Sequence, residues 1–135
     1  MSDEVKGSCL CGKVNFTLVG GFKQFHLCHC QQCRKITGSA HASNLFTSLE
    51  NIEWTAGKEL VKTFDHPDNN FRKVFCSECG SGLPYESRRV PALVVPAGSL
   101  DDEPGMEPMD HVFWAERTEW YESAKDKPEF EAFPT

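Results

Sequence analysis

Seven cysteines in 135 residues fall into three tight groups, and this constrains the chain more than any other feature. Cys9 and Cys11 make "CLC", Cys28, Cys30 and Cys33 make "CHCQQC", and Cys76 and Cys79 make "CSEC". An odd count cannot pair fully within one chain, and a C-x-C bridge is a strained disulfide. The start, "MSDEVKGS", has neither the basic region nor the apolar stretch of a secretory signal. No apolar run approaches the roughly 18 residues that span a bilayer. A cytoplasmic location is therefore expected, where thiols stay reduced and clustered cysteines read as metal ligands. Isolated buried thiols are common in cores, but they do not gather in groups like these.

The groups partition simply. The two pairs, Cys9, Cys11, Cys76 and Cys79, make a closed four-thiolate zinc site. The triplet, Cys28, Cys30 and Cys33, makes a three-thiolate zinc site lacking one ligand. Structural zinc sites are closed, whereas catalytic ones keep a position for water or substrate. A histidine is the other way to fill the fourth position. His29 lies between two of the ligands, and in an extended segment its side chain points away from them. His41 or His111 would have to reach the triplet through the fold. Gly80 after "CSEC" suits a knuckle turn that aims backbone N–H groups at the sulfurs.

Hydrophobic residues make up 39% of the chain, enough for one modest core that metal cross-links would strengthen. The net charge of -6 argues against a nucleic-acid partner, whose phosphates favour a basic surface. Apolar alternation predicts short strands over 13–20, with Val14, Phe16 and Leu18 on one face, and over 22–29. Extended segments are also expected over 39–48, 59–66, 71–76, 92–100 and 111–116. Five prolines between Pro84 and Pro108 leave little room for long helices there, and one short helical turn is expected near 31–36. The fold class is mostly β. Phe46, Trp54, Phe113 and Trp114 are expected in the core. The paired acids of "GSLDD" read as a turn or cap.

The segments "GSCLCGKVNF", "CHCQQCRKITG", "FCSECGSGL", "VPAGSLDD" and "HVFWAERTEW" resemble the glutathione-dependent formaldehyde-activating enzyme family, also called the centromere-protein-V domain family. The resemblance runs from Gly7 to about Trp120. It implies a small zinc-stapled β-tent fold of short antiparallel strands with at most short helical turns. It implies two Zn2+ ions, a structural one on Cys9, Cys11, Cys76 and Cys79 and a catalytic one on Cys28, Cys30 and Cys33. It also implies a carbon–sulfur lyase acting on glutathione adducts. The domain is expected over residues 1–121, followed by a polar, partly disordered arm over 122–135.

The ligand chemistry points the same way. Three thiolates leave a zinc ion with a net charge of about -1, so it generates hydroxide poorly compared with a tris-imidazole site. Soft ligands favour a soft fourth ligand, here a substrate sulfur. The expected reaction makes or breaks a C–S bond in a small thiol adduct, such as an S-hydroxymethyl glutathione adduct. His29 and His41 are candidate acid/base groups, with His111 a further one. Arg34 and Lys35, directly after the triplet, are candidates to bind substrate carboxylates. No membrane partner is expected. The alternative is a non-catalytic, zinc-stabilised protein-interaction module, which has no reason to leave a metal position open.

Overall fold

The computed structural model describes residues 4–134. Ten short strands dominate. The first sheet joins β1 (Val5–Ser8), β2 (Asn15–Leu18) and β5 (Ile52–Ala56) in the order β1-β2-β5, all antiparallel. The second contains β3 (Gln24–Cys28), β4 (Ala42–Thr47), β8 (Tyr85–Glu86), β9 (Leu93–Pro96) and β10 (Asp110–Val112), in the order β10-β3-β4-β9-β8. A separate hairpin pairs β6 (Val61–Asp65) with β7 (Arg72–Cys76). Two short helices complete the fold, α1 (Gln31–Thr37) and α2 (Glu119–Ala124). No helix among the described residues is long and apolar enough to cross a membrane.

The alternation in β2 does what a half-buried strand requires. Val14, Phe16 and Leu18 are all buried, and Phe16 meets Trp54 edge-on at 5.7 Å. Leu45 of β4, Leu93 and Val95 of β9, and Leu83 close the same core from the second sheet. Strand β9 lies between β4 and β8 in the sheet and is buried along Leu93, Val94 and Val95, so both of its faces are covered. Its run therefore reads as continuously apolar rather than alternating. Thr47 is buried but satisfied: its hydroxyl donates to the Gly21 carbonyl at 2.8 Å and accepts from Asn51 Nδ2 at 2.8 Å.

Several expectations need correction. The strand expected over 111–116 ends at Val112, because Phe113 turns left-handed at φ 54° and Trp114–Glu116 form a 3-10 turn. Phe113 is 55% exposed and Trp114 37% exposed, so neither joins the core. β10 pairs with β3 in parallel, a departure from an all-antiparallel pattern. The segment over 92–100 is strand only to Pro96, then a 3-10 turn, Ala97–Ser99. Helix α2 runs across the boundary expected after Tyr121. β1, β5 and β8 had no counterpart in the sequence pattern. The acids of "GSLDD" hold the edge of β1: Asp102 accepts from the Lys6 N–H at 2.9 Å and Asp101 from the Ser8 hydroxyl at 2.8 Å.

Gly57 joins β5 to the next 3-10 turn, Lys58–Leu60, with φ 76°, and a Cβ there would run into the Lys13 carbonyl. Both the left-handed backbone and the backbone clash oppose any side chain. Gly57→Ala should lower unfolding free energy by about 2 kcal/mol or more, read as a reduced urea midpoint at unchanged slope.

Candidate metal centres and the adjoining cavity

The four Sγ atoms of Cys9, Cys11, Cys76 and Cys79 lie within 4.8 Å of one another. Cys9 and Cys11 sulfurs are 3.5 Å apart, and those of Cys11 and Cys76 are 3.9 Å apart. Tetrahedral thiolates around one zinc stand about 3.8 Å apart, so this donor set fits that ion. The local chain explains the convergence. Cys9 follows β1, and the turn beyond it lets Val14 N–H reach Cys9 Sγ at 3.3 Å. Cys76 ends β7, where Glu78 N–H points at its sulfur at 3.4 Å and Gly80, left-handed at φ 80°, closes the turn onto the Cys76 carbonyl at 2.7 Å. The Ser81 hydroxyl beside Cys79 holds that thiol down at about 6.

The second group is Cys28, Cys30 and Cys33, whose sulfurs also lie within 4.8 Å of one another. Cys28 ends β3. Cys30 caps α1, its sulfur accepting from Cys33 N–H at 3.4 Å, and Cys33 lies one turn into the helix. A hydrogen bond from the Cys33 thiol holds Cys28 down at about 6, while that same bond to Cys28, with burial, pushes Cys33 strongly up. One thiol of the three ionises readily and the last resists. A cation among them removes that penalty, which is why the set suits a soft metal. Among the described residues, no His, Asp or Glu joins these three sulfurs.

The histidines are arranged otherwise. His29 is fully buried, and its Nε2 lies 2.9 Å from His111 Nδ1. Its ring packs against His41, Trp114 and Tyr121 at centroid distances of 5.0, 4.9 and 4.9 Å. Its backbone N–H donates to the Val112 carbonyl at 3.0 Å. Burial, with the nearby charges of His41, His111 and Arg117, pushes its pKa down and keeps the ring neutral. Glu116 completes this clamp by accepting from Gln31 N–H at 2.9 Å, in the first turn of α1.

A cavity of about 200 Å3 adjoins the triplet, with Cys33, His41, Ser43, Lys73 and Tyr85 in its wall. His41 Nδ1 lies 3.3 Å from Ser43 Oγ, and burial pushes His41 below its ordinary pKa. Burial also pushes Lys73 down, opposed by the Cys33 sulfur, and pushes Tyr85 up to about 12. Arg34 and Lys35 do not line this cavity: the Arg34 Nε is buried without a partner among the described residues, and Lys35 is exposed. Tyr85 was missed in the sequence, whereas Arg72-Lys73 was one of three basic pairs, with Arg34-Lys35 and Arg88-Arg89, that could hold substrate carboxylates. Both Arg72 and Lys73 line the cavity, and Arg72 is held there by Asp65 at 2.6 and 3.0 Å.

Most of the chain is similar to known proteins. The sequence profile of the family described as glutathione-dependent formaldehyde-activating enzyme matches residues 4–116. A Halomonas elongata protein, provisionally named as such an enzyme, is 30% identical over 126 residues, covering 87% of this chain and 80% of that one. A crystal structure of a Rhodobacter sphaeroides protein shares the fold with a TM-score of 0.61 at 23% identity, covering 79% of this chain and 99% of the other. The chain belongs to the glutathione-dependent formaldehyde-activating enzyme family.

Proposed function

We propose that the chain is a zinc-dependent carbon–sulfur lyase acting on a small thiol adduct of the S-hydroxymethyl type. The observation that carries this reading is the three-sulfur group beside a cavity, with no fourth protein ligand among the described residues. Zinc held by Cys28, Cys30 and Cys33 would supply a soft Lewis-acidic position that receives the substrate's sulfur. A second zinc on Cys9, Cys11, Cys76 and Cys79 would be structural.

The protein's own groups handle the proton. With Nδ1 of His41 turned to Ser43, Nε2 is left to take the hydroxyl proton of the adduct. The O–H pair becomes the second bond of the aldehyde, the C–S bond breaks, and its electron pair stays on sulfur. The products are a thiolate, an aldehyde and a protonated His41; the reverse step forms the adduct. A depressed His41 pKa keeps the imidazole in its basic form at neutral pH. His29, fully buried and bonded to His111, serves as support rather than proton acceptor.

The decisive experiment replaces both zinc ions with cobalt(II) and follows the thiolate-to-metal bands during a glutathione titration. A saturable change with glutathione, absent with S-methylglutathione, is expected. An unchanged spectrum at two cobalts per chain would overturn the open-site reading.

The two cysteine groups should also separate genetically. Cys76→Ser is expected to unfold or aggregate, since a closed zinc site supplies folding free energy. Cys30→Ser should stay folded by circular dichroism and carry one zinc rather than two by elemental analysis. In turnover, kcat/KM of the wild type should fall toward acid with an apparent pKa below histidine's ordinary 6.5. His41→Gln should lose that limb and about 100-fold or more in rate.

A further inference from the structure

The cavity beside Cys33 adjoins a groove of about 590 Å3, and the two meet at Ser43, Ala97 and Gly98, which line both. Strands β3 and β4 set what lies beyond that point. Leu27 stands opposite Ser43 in the register and Phe25 opposite Leu45, so these side chains lie on one face of the sheet. Going away from Cys28, the lining changes from His41 and Ser43 to Leu27 and Phe25. Leu100 and Met106 add to the groove from the loop after β9. That loop is tied down where the Asp101 N–H donates to the Lys6 carbonyl and the Met109 N–H to the Phe25 carbonyl. Gly98 marks the junction, and a Cβ there would meet nothing within 4 Å.

The groove combines these four apolar side chains with an acidic rim. Asp101 and Asp102 in the rim are engaged, by the Ser8 hydroxyl and the Lys6 N–H. Glu103 and Glu107 are exposed and make no ion pair among the described residues. No Lys, Arg or His lines the groove among the described residues. Apolar walls favour a hydrocarbon chain, and carboxylates with no cation beside them oppose a ligand that carries an anion.

The roles proposed above orient the adduct. Its sulfur faces the three cysteines and its hydroxyl faces His41 Nε2, so the carbon between them directs its remaining substituents past Ser43. In the formaldehyde adduct these are hydrogens only, and the groove holds no part of the substrate. We infer that the groove receives a hydrocarbon chain on that carbon, so that the protein makes and breaks thiol adducts of uncharged aliphatic aldehydes. This rests on the lyase reading. In the forming direction the thiolate sulfur adds to the carbonyl carbon, the π pair of the carbonyl moves to oxygen, and protonated His41 gives that oxygen its proton. Cleavage returns the proton to His41 and the C–S pair to sulfur.

The test follows hemithioacetal exchange by NMR, with zinc-loaded protein and glutathione as the thiol, above the spontaneous rate. Acetaldehyde and pentanal have similar carbonyls and differ in chain length. Pentanal should exceed acetaldehyde in kcat/KM by about ten-fold. Glutarate semialdehyde, as long but carrying a carboxylate, should gain nothing over acetaldehyde. Met106→Glu, which adds a charge to the apolar lining, should abolish the gain for pentanal. Gly98→Leu, which fills the open space at the junction, should do the same and carries the test if Met106→Glu fails to fold. Equal rates for pentanal and acetaldehyde, a gain for glutarate semialdehyde as large as for pentanal, or a gain that survives both variants would each overturn the inference, while the formaldehyde rate keeps the lyase reading. No acceleration of any aldehyde, formaldehyde included, sinks the lyase reading and the inference with it. The groove is then read by binding alone, with n-hexanol and hexanoate added to protein carrying isotope-labelled methionine methyls. A shift of the Met106 methyl with hexanol but not hexanoate keeps an apolar, anion-excluding groove, and no shift with either removes that as well.

Discussion

Four sulfurs drawn to one point hold the two halves of this chain together. Cys11 and Cys76 are 65 positions apart in sequence, yet their sulfurs are 3.9 Å apart. The turn after β1 is thereby fixed to the turn after β7, and the β6–β7 hairpin is docked against the first sheet. Closing so long a loop costs the chain entropy, and four clustered thiols would resist ionising together. A metal ion held by the four sulfurs would answer both costs at once. Its contribution would matter in a core resting on some eleven buried residues, most of them in strands of three to six residues. A surface cavity of about 620 Å3 also depends on this junction, because Cys9, Gly80 and Ser81 lie in its wall.

The second cysteine group is built on a different principle. It lies within six consecutive positions, so proximity in sequence does much of the work, and the cap of α1 does the rest. Such a group forms without closing a long loop. The cavity beside it instead gathers residues from three elements. Cys33 comes from α1, His41 lies just before β4, and Lys73 comes from β7. The arrangement separates tasks: a local motif supplies the sulfurs, while the long-range fold decides what faces them.

That division explains what the sequence revealed. The cysteine spacing and the alternation of Val14, Phe16 and Leu18 carry their own geometry, and both were legible. Family membership was legible for the same reason, since it resides in the motifs. The place of Lys73 was not, because three basic pairs were open in the sequence and only the fold brings one of them to the cavity beside Cys33. The segment after His111 misled because its aromatic run reads as strand. Phe113 in a left-handed conformation, which non-glycine residues seldom adopt, breaks that run. The partners of His29 were equally hidden, since Trp114 and Tyr121 reach it across the sheet from far along the chain.

The clamp on His29 has a consequence for biosynthesis. His111 lies 82 residues after His29, and Glu116 lies 85 after Gln31. During synthesis the Cys28–Cys33 loop therefore emerges well before the segment that buries its histidine and pins its helix. Parallel pairing of β10 with β3 is a late, long-range event. Until then nothing from the later chain covers His29 or pins the first turn of α1, so the three thiols sit on a loop held by its own sequence alone. Arrival of the strand at Asp110–Val112 thus gives that loop its long-range anchors last.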